Sequence, residues 1–266
     1  MPEYDDNPAG RLRILLMEMR EANPNLDVLA WDAMARVLVP RGTPSSPTVL
    51  AAMTRLLELP SEIRAAVEAL DEDEEEKEHL VEHLDKTEMF LGMVVSRTHA
   101  LAQACHGFAS GGEIANSAAV QSLGNCSRRL HRRSPEPVIP REEIDGLIQS
   151  ITSLKDDVRA SSLDSAAKLL LMRHLHALLR ALDLVRISGA APVEESLDAF
   201  TMALTHRSEA ADELGQHGFL ERLTAIAKTI RTTFDIARGV HQLGTEAHAV
   251  LAQGNHAIEQ ASRLLT

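Results

Sequence analysis

Residues 162–187, SLDSAAKLLLMRHLHALLRALDLVRI, carry the pattern that decides the fold. Apolar residues recur every three or four positions along this stretch, which is the spacing of one face of an α-helix. That face contains Leu163, Ala167, Leu170, Leu171, Leu178, Leu182 and Val185, and the opposite face contains Lys168, Arg173, Arg180 and Asp183. Each leucine buried on such a face contributes roughly 1.5–3 kcal/mol by its transfer from water. The stretch is therefore predicted to be a core helix.

The same helical spacing continues over nearly the whole chain of 266 residues. Aromatic residues make up only 3% of the chain, whereas β-sandwiches and barrels draw on aromatic and β-branched residues. Alanine, leucine, glutamate and arginine, which favour helices, are abundant instead. We predict an all-α fold, a multi-helix bundle with no sheet.

Residues 134–140, SPEPVIP, hold three prolines in seven positions. Proline interrupts helices, so a stretch of this composition is typical of an exposed connection. We predict two packed helical subdomains, an N-terminal one over residues 1–133 and a C-terminal one over residues 141–266, joined by a Pro-rich linker at 134–140. Within the first, residues 80–105 are predicted to form one long amphipathic segment.

The C-terminal subdomain is predicted to end in a long helix over residues 219–265. Positions three and four apart form a sustained seven-residue repeat of mostly apolar or small residues. The repeat consists of Leu223, Ile226, Ile230, Thr233, Ala237, Val240, Gly244, Ala247, Leu251, Gly254, Ile258, Ala261 and Leu265. Small residues let a second backbone approach closely, but each glycine costs about 1 kcal/mol of helix propensity. Such a helix needs a neighbour, either an earlier helix of the chain or a second copy.

Charge and cysteine content narrow the class of protein. The formal net charge of −12 opposes binding of phosphate backbones by the surface as a whole. Two cysteines, Cys105 and Cys126, are too few for a disulfide framework or a zinc ribbon. The first residues, MPEYDDNPAGR, are acidic and polar and do not resemble a signal peptide, and no run of 18 apolar residues occurs. We expect a cytoplasmic protein with no membrane partner.

Histidines supply the candidate metal ligands. His79 and His83 are four residues apart in EHLVEH, so on one helix they would share a face and could chelate an ion. The His-Glu-x-x-His order of zinc peptidases is absent and a third ligand is not identifiable, so a solvated charged face is the alternative. His99, Cys105 and His106 lack the spacing that would place them around one ion.

Another histidine lies on the helix quoted first. His174 is in the middle of its apolar face and is predicted to be a hydrogen-bonded core residue. His176 is predicted to point toward the charged face.

Residues 127–133, SRRLHRR, form the basic cluster of the sequence. Arg128 with Arg132, and Arg129 with Arg133, are four residues apart and would cover one side of a helix end. The cluster can act as favourable positive charge at a helix C-terminus, pair with the acidic run DEDEEEKE at residues 71–78, or contact nucleic acid. No aromatic residue that could stack on a base is interleaved, and this argues against nucleic acid as a partner.

Two stretches resemble a loose group of bacterial all-helical proteins. The first is LDVLAWDAMARVL at residues 26–38, and the second covers residues 144–200, where a Ser-Leu-Asp turn leads into a leucine-rich helix ending at glycine. The resemblance implies an all-helical fold. It implies no activity and carries over no functional residue.

The sequence contains no catalytic constellation and no cofactor motif that we can identify. We therefore expect a non-enzymatic protein that acts through helix–helix contacts, with a protein partner or by self-association through the C-terminal helix. No catalytic, cofactor-binding or metal residue and no cofactor is assigned. One alternative is a nucleic-acid-associated regulator that uses Arg128–Arg133, and a second is a metal-dependent helical enzyme that uses His79 and His83.

The C-terminal repeat makes the first testable prediction. Replacing Gly244 and Ala247 together by leucine should overpack a closely approached helix face. The double variant should lose about 1–3 kcal/mol of unfolding free energy, or a dimer should split. Thermal melting and light scattering measure the two effects. An unchanged melting temperature together with an unchanged mass would show that this face is exposed.

Overall fold

The computed structural model describes residues 4–40, 42–109, 113–207 and 213–235, and most of them are helical. The helices are α1 (Pro8–Glu21), α2 (Ala30–Leu38), α3 (Pro47–Glu68), α4 (Glu74–Val81), α5 (Leu84–Val95), α6 (Leu101–Phe108), α7 (Ala118–Arg133), α8 (Arg141–Ala160), α9 (Ser165–Asp183), α10 (Val185–Ser188), α11 (Ala191–Thr205) and α12 (residues 219–235). Within these ranges there is no strand, only an isolated antiparallel bridge between Leu29 and Ala100. The predicted all-α fold is confirmed.

Helices α1 to α7 enclose a first hydrophobic cluster. α1 packs against α2, α3 and α7, and α5 packs against α3 and α6. Leu16 of α1, Leu56 of α3 and Phe90 of α5 are fully buried in this cluster, where Phe90 contacts Phe108 at a ring-centroid distance of 4.5 Å. Asn7 caps α1 through its side-chain oxygen, which accepts from the backbone N–H of Gly10 at 2.9 Å.

Helices α8 to α12 enclose a second hydrophobic cluster. α9 packs against both α8 and α11, and the predicted apolar face of α9 is buried, while Arg173 and Arg180 are exposed. Asp164 caps the start of α9, and the helix ends at Asp183 instead of running to Ile187. α10 is therefore a separate turn.

The connection between the two clusters is not a free tether. Residues 134–140 are non-helical, yet Ile139 is buried in the second cluster. The backbone N–H of Glu136 donates to the carbonyl of Asp6, ahead of α1, at 2.7 Å. Ile187 of α10 packs in the first cluster although its neighbours in the chain belong to the second. The two clusters are thus joined, and the subdomain boundaries at 133 and 141 stay a prediction.

The prediction of a single helical segment over residues 80–105 is wrong, because three helices, α4, α5 and α6, cover this stretch. α4 ends at Val81, and Arg97, with φ 58°, breaks the helix again between α5 and α6. The first N–H groups of α2 and α6 have no side-chain cap, and the loop at this second break supplies their hydrogen-bond partners. The N–H of Ala30 donates to the His99 carbonyl, and the N–H of Leu101 donates to the Val28 carbonyl. A pairing between loops about 70 residues apart is not encoded in local periodicity.

The start of the predicted C-terminal helix is present in α12. Leu223 and Ile230 are buried in the second cluster, and Arg222 pairs with Asp157 of α8 at 2.7 Å. The rest of the repeat, including Gly244 and Ala247, lies outside the described residues. In the part of the chain that is described, no helix is both long and apolar enough to cross a membrane.

His174 lies at the edge of the second cluster. It is half-buried, with its ring stacked on Phe200 at 4.9 Å between centroids, while His176 is exposed as predicted. Burial lowers the pKa of His174, and the charges of Arg173 and Arg207 lower it further. The folded chain therefore favours the neutral imidazole.

Replacing His174 by alanine should lower the unfolding free energy by about 0.5–1.5 kcal/mol through loss of the ring stack. The matched change His176→Ala should cost less than about 0.5 kcal/mol. Because the pKa of His174 is lower when folded, the unfolded chain binds more protons as the pH falls through about 6.5, and stability decreases there. Urea unfolding of both variants at several pH values measures this. A pH dependence identical in wild type and His174→Ala would contradict it.

Candidate functional site

The chain turns sharply between α9 and α11, and this turn organises the candidate site. Leu184 leaves the helix with ψ 0°, and α10 adds a single turn. Gly189 follows with φ 72° and ψ −166°, a backbone conformation almost restricted to glycine. The turn presents the carbonyl of Ile187 and the hydroxyl of Ser188 to α1 and α3.

Arg11 of α1 is the most buried charge at this junction, with only 4% of its side chain exposed. Its Nε donates to the Ile187 carbonyl at 3.0 Å, and its Nη1 donates to Glu136 Oε2 at 2.6 Å. A buried guanidinium needs both a countercharge and hydrogen-bond acceptors to offset its lost hydration. One side chain therefore ties together α1, α10 and the connection at residues 134–140.

Arg55 and Glu62 of α3 extend this charged junction. Arg55 Nε donates to Ser188 Oγ at 2.8 Å, and its Nη1 contacts the carboxylates of Glu58 and Glu62. Burial raises the pKa of Glu62, while the positive charges of Arg55 and Arg11 oppose that rise. The carboxylate of Glu62 is thus held in a partly dehydrated position against two guanidinium groups.

Arg186 of α10 forms a second tie to the first cluster. Its Nη2 donates to both carboxylate oxygens of Glu18 in α1, at 2.8 and 2.7 Å. Its Nη1 donates to the Val37 carbonyl at the end of α2 at 3.3 Å. α10 is therefore anchored by Arg11, Arg55 and Arg186 together.

A cleft of about 750 Å³ opens over the junction between the two clusters. This volume lies within the range of about 300–1,000 Å³ typical of ligand sites, which often form where two units meet. Most of the lining is small or charged. The cleft is lined by Pro8 and Arg11 of α1, Arg55, Glu62, Ala65 and Ala66 of α3, Glu136, Ala177, Arg180 and Ala181 of α9, Leu184, Ser188, and Ala191, Pro192, Glu195 and Ser196 of α11.

Two charges of the cleft stand apart from the junction network. Arg180 of α9 and Glu195 of α11 line the cleft and are exposed. Neither side chain has an ion pair or hydrogen bond to another described residue. Arg180 and Glu195 are therefore the charged groups of the cleft that a ligand could pair with. The other charged residues, such as Arg11 and Glu136, are already paired within the junction.

The predicted histidine pair is not assembled as a metal site. α4 ends before His83, which stands at the start of α5, so His79 and His83 do not share one helix. His79 Nδ1 instead lies 3.4 Å from Glu82 Oε2. Across the described residues, no group of three or more His, Cys, Asp or Glu side chains is placed to hold a metal ion.

The cysteines lie in the hydrophobic core. Cys105 and Cys126 are both buried, and burial raises the pKa of Cys105 to about 11 and that of Cys126 to about 12. Both thiols therefore stay protonated near neutral pH and are poor nucleophiles. His106 is exposed and His99 contacts Ser96, so these residues do not converge with Cys105.

The basic cluster at the end of α7 pairs with the acidic run, as one of the interpretations of the sequence predicted. Arg129 lies within 3.1 Å of Glu72 and 3.3 Å of Glu76, and Arg133 lies 3.4 Å from Glu72. His131 takes a different partner, the buried carboxylate of Asp6, at 2.5 Å. Three of the five basic residues of the cluster, Arg129, His131 and Arg133, thus have an acidic partner within the fold.

Sequence reasoning missed the residues of the charged junction. Arg11 had a usable signal, because it is four residues before Leu15 and so falls on the apolar face of α1. Glu136 lies between two prolines, Pro135 and Pro137, in a stretch whose composition predicts a linker and not an ion pair. Nothing in the local pattern joins Arg11 to a carboxylate 125 residues away.

Comparison with known proteins yields no match to a family model, a curated protein or a solved structure. Any function is therefore inferred from the geometry of the chain itself.

The turn at Gly189 provides a stability test of the junction. A Cβ added at Gly189 would lie 2.3 Å from Glu136 Oε2 and 2.9 Å from Arg11 Nη1, in a backbone conformation that strains alanine. Gly189→Ala should therefore cost roughly 2–4 kcal/mol of unfolding free energy. Gly146→Ala on α8 is the control, because a Cβ there meets nothing within 4 Å and should add about 0.5–1 kcal/mol. Equal melting temperatures for the two variants would show that the junction is dispensable.

Proposed function

We propose that the protein is a non-enzymatic binding protein and that the cleft between its two hydrophobic clusters receives a helix of a protein partner. The observation that carries this proposal is the cleft itself, which has a volume of about 750 Å³. Small side chains make up much of its lining, and the charged residues Arg11, Arg55 and Glu136 in that lining are fixed by hydrogen bonds and ion pairs within the junction. A cleft at the meeting of two helical layers is a common place for a third helix to pack.

The lining of the cleft favours packing of a helix because five of its residues are alanines, whose side chains are small. Ala65 and Ala66 come from α3, Ala177 and Ala181 from α9, and Ala191 from α11. Small side chains allow a neighbouring helix to come within the 8–10 Å between axes typical of packed helices, with its own larger side chains filling the space. Alanine buries little area, so the partner has to contribute the large apolar residues.

The charges of the cleft define the partner further. Arg180 of α9 and Glu195 of α11 are exposed on two helices that pack against each other, and neither has a partner among the described side chains. A helix that presents an acidic residue toward Arg180 and a basic residue toward Glu195 would be oriented by these contacts. Such complementary charges contribute more to specificity and association rate than to affinity.

A selection with displayed helical peptides tests this function. Peptides enriched on the wild-type chain are measured against Ala177→Trp, which places an indole in the cleft from an exposed position, so that the fold should be preserved. Loss of close packing should weaken binding at least about tenfold, which corresponds to about 1.4 kcal/mol. Fluorescence anisotropy gives the Kd, and circular dichroism checks the fold.

The control is Ala166→Trp, which adds the same side chain at an exposed position on the same helix. It lies 11 residues from Ala177, about 16 Å along the axis, and outside the cleft lining. Its binding should stay within about twofold of wild type, a difference of only a few tenths of a kcal/mol. Peptides that bind all three proteins equally, or a selection that enriches no helical peptide, would contradict the proposal.

A further inference from the structure

We propose that Arg128 and Arg132 of α7, with His79 of α4, form a binding site for the phosphate group of a small ligand. These residues line a surface pocket of about 250 Å³ between α4 and α7. The rest of the lining is Glu76, Leu80, Asn125 and Arg129. This site is separate from the cleft and does not depend on the function proposed for it.

The four arginines at the end of α7 divide into two kinds. Arg129 and Arg133 are neutralised by Glu72 and Glu76. Arg128 donates only to the amide oxygen of Asn125, and Arg132 has no side-chain partner among the described residues. Two guanidinium groups without a carboxylate therefore face one pocket, in a chain whose formal net charge is −12.

The pocket is held in shape by contacts that do not use these two arginines. Arg129 bridges α7 to Glu76 of α4, and Ser122 Oγ of α7 donates to the Leu80 carbonyl at 3.4 Å. Arg128 and Arg132 are one helical turn apart and so project from the same side of α7. Guanidinium groups in this arrangement can grip the oxygens of one phosphate by charge-assisted hydrogen bonds.

Glu76 sets a limit on the ligand. Its carboxylate lines the pocket and would repel an anion, although Arg129 at 3.3 Å compensates its charge. His79 Nδ1 lies 3.4 Å from Glu82 Oε2, so its Nε2 is the ring nitrogen that can serve as a hydrogen-bonding group on the α4 side. One phosphate group fits this balance of charge better than a long polyanion.

The size and lining of the pocket exclude a base-recognition site. A volume of about 250 Å³ is below the roughly 300–1,000 Å³ of sites that enclose a whole drug-sized ligand. The lining contains no Phe, Tyr or Trp on which a nucleobase could stack. The ligand chemistry is therefore a phosphate group, either free or as a small phosphomonoester.

Isothermal titration calorimetry of the full chain tests the site with inorganic phosphate, pyrophosphate, phosphoserine and a single-stranded oligonucleotide as probes. The double variant Arg128→Gln with Arg132→Gln removes both guanidinium groups and leaves the Arg129 pairs intact. Loss of two charge-assisted contacts should weaken binding of the phosphate probes at least about tenfold. The tighter of inorganic phosphate and phosphoserine identifies a free or an esterified ligand.

The control, Arg141→Gln with Arg173→Gln, makes the same change in net charge at exposed positions outside the pocket. Its affinity for the phosphate probes should stay within about twofold of wild type, because neither side chain lines the pocket. Three outcomes would overturn the proposal: no saturable binding at millimolar concentration, equal losses in both double variants, or salt-dependent binding of the oligonucleotide alone. The last outcome would favour a nucleic-acid surface.

Discussion

The buried guanidinium of Arg11 is the constraint on which the rest of the arrangement depends. A charge with 4% of its side chain exposed loses almost all of its hydration, and it is tolerated only because Glu136 and the Ile187 carbonyl replace the lost water. Breaking such a pair from one side costs about 3–5 kcal/mol, since the remaining charge stays buried. The position of α10 against α1, and with it the shape of the cleft, follows from this requirement.

The cleft exists because α10 is a single turn held by polar contacts and not a continuation of α9. A continuous helix would carry Ile187 away from the first cluster and would remove the acceptor of Arg11. Gly189 then lets the chain turn into α11, in a conformation that a side chain would strain. The hydrogen bond of Arg11 to α10 and the positive φ of Gly189 together thus leave a space between the two hydrophobic clusters.

The end of α7 shows how one sequence motif separates into two physical roles. The carboxylates of the acidic run lie on α4 and just before it, so they reach Arg129 and Arg133 but leave Arg128 and Arg132 without a carboxylate partner. The paired arginines brace α4 against α7. Arg128 and Arg132, which no carboxylate pairs, instead line a pocket on a chain whose formal net charge is −12.

Periodicity determined the fold class and the buried face of α9, because these depend on residues three or four positions apart. Only the tertiary structure decided the break at Arg97 and the end of α9 before α10, because each serves partners far away in the chain. The Arg11–Glu136 pair joins residues 125 positions apart, so it too was decided by the tertiary structure. Helical propensity is local, whereas satisfying a buried charge or an uncapped helix end depends on whatever the fold brings within about 3 Å.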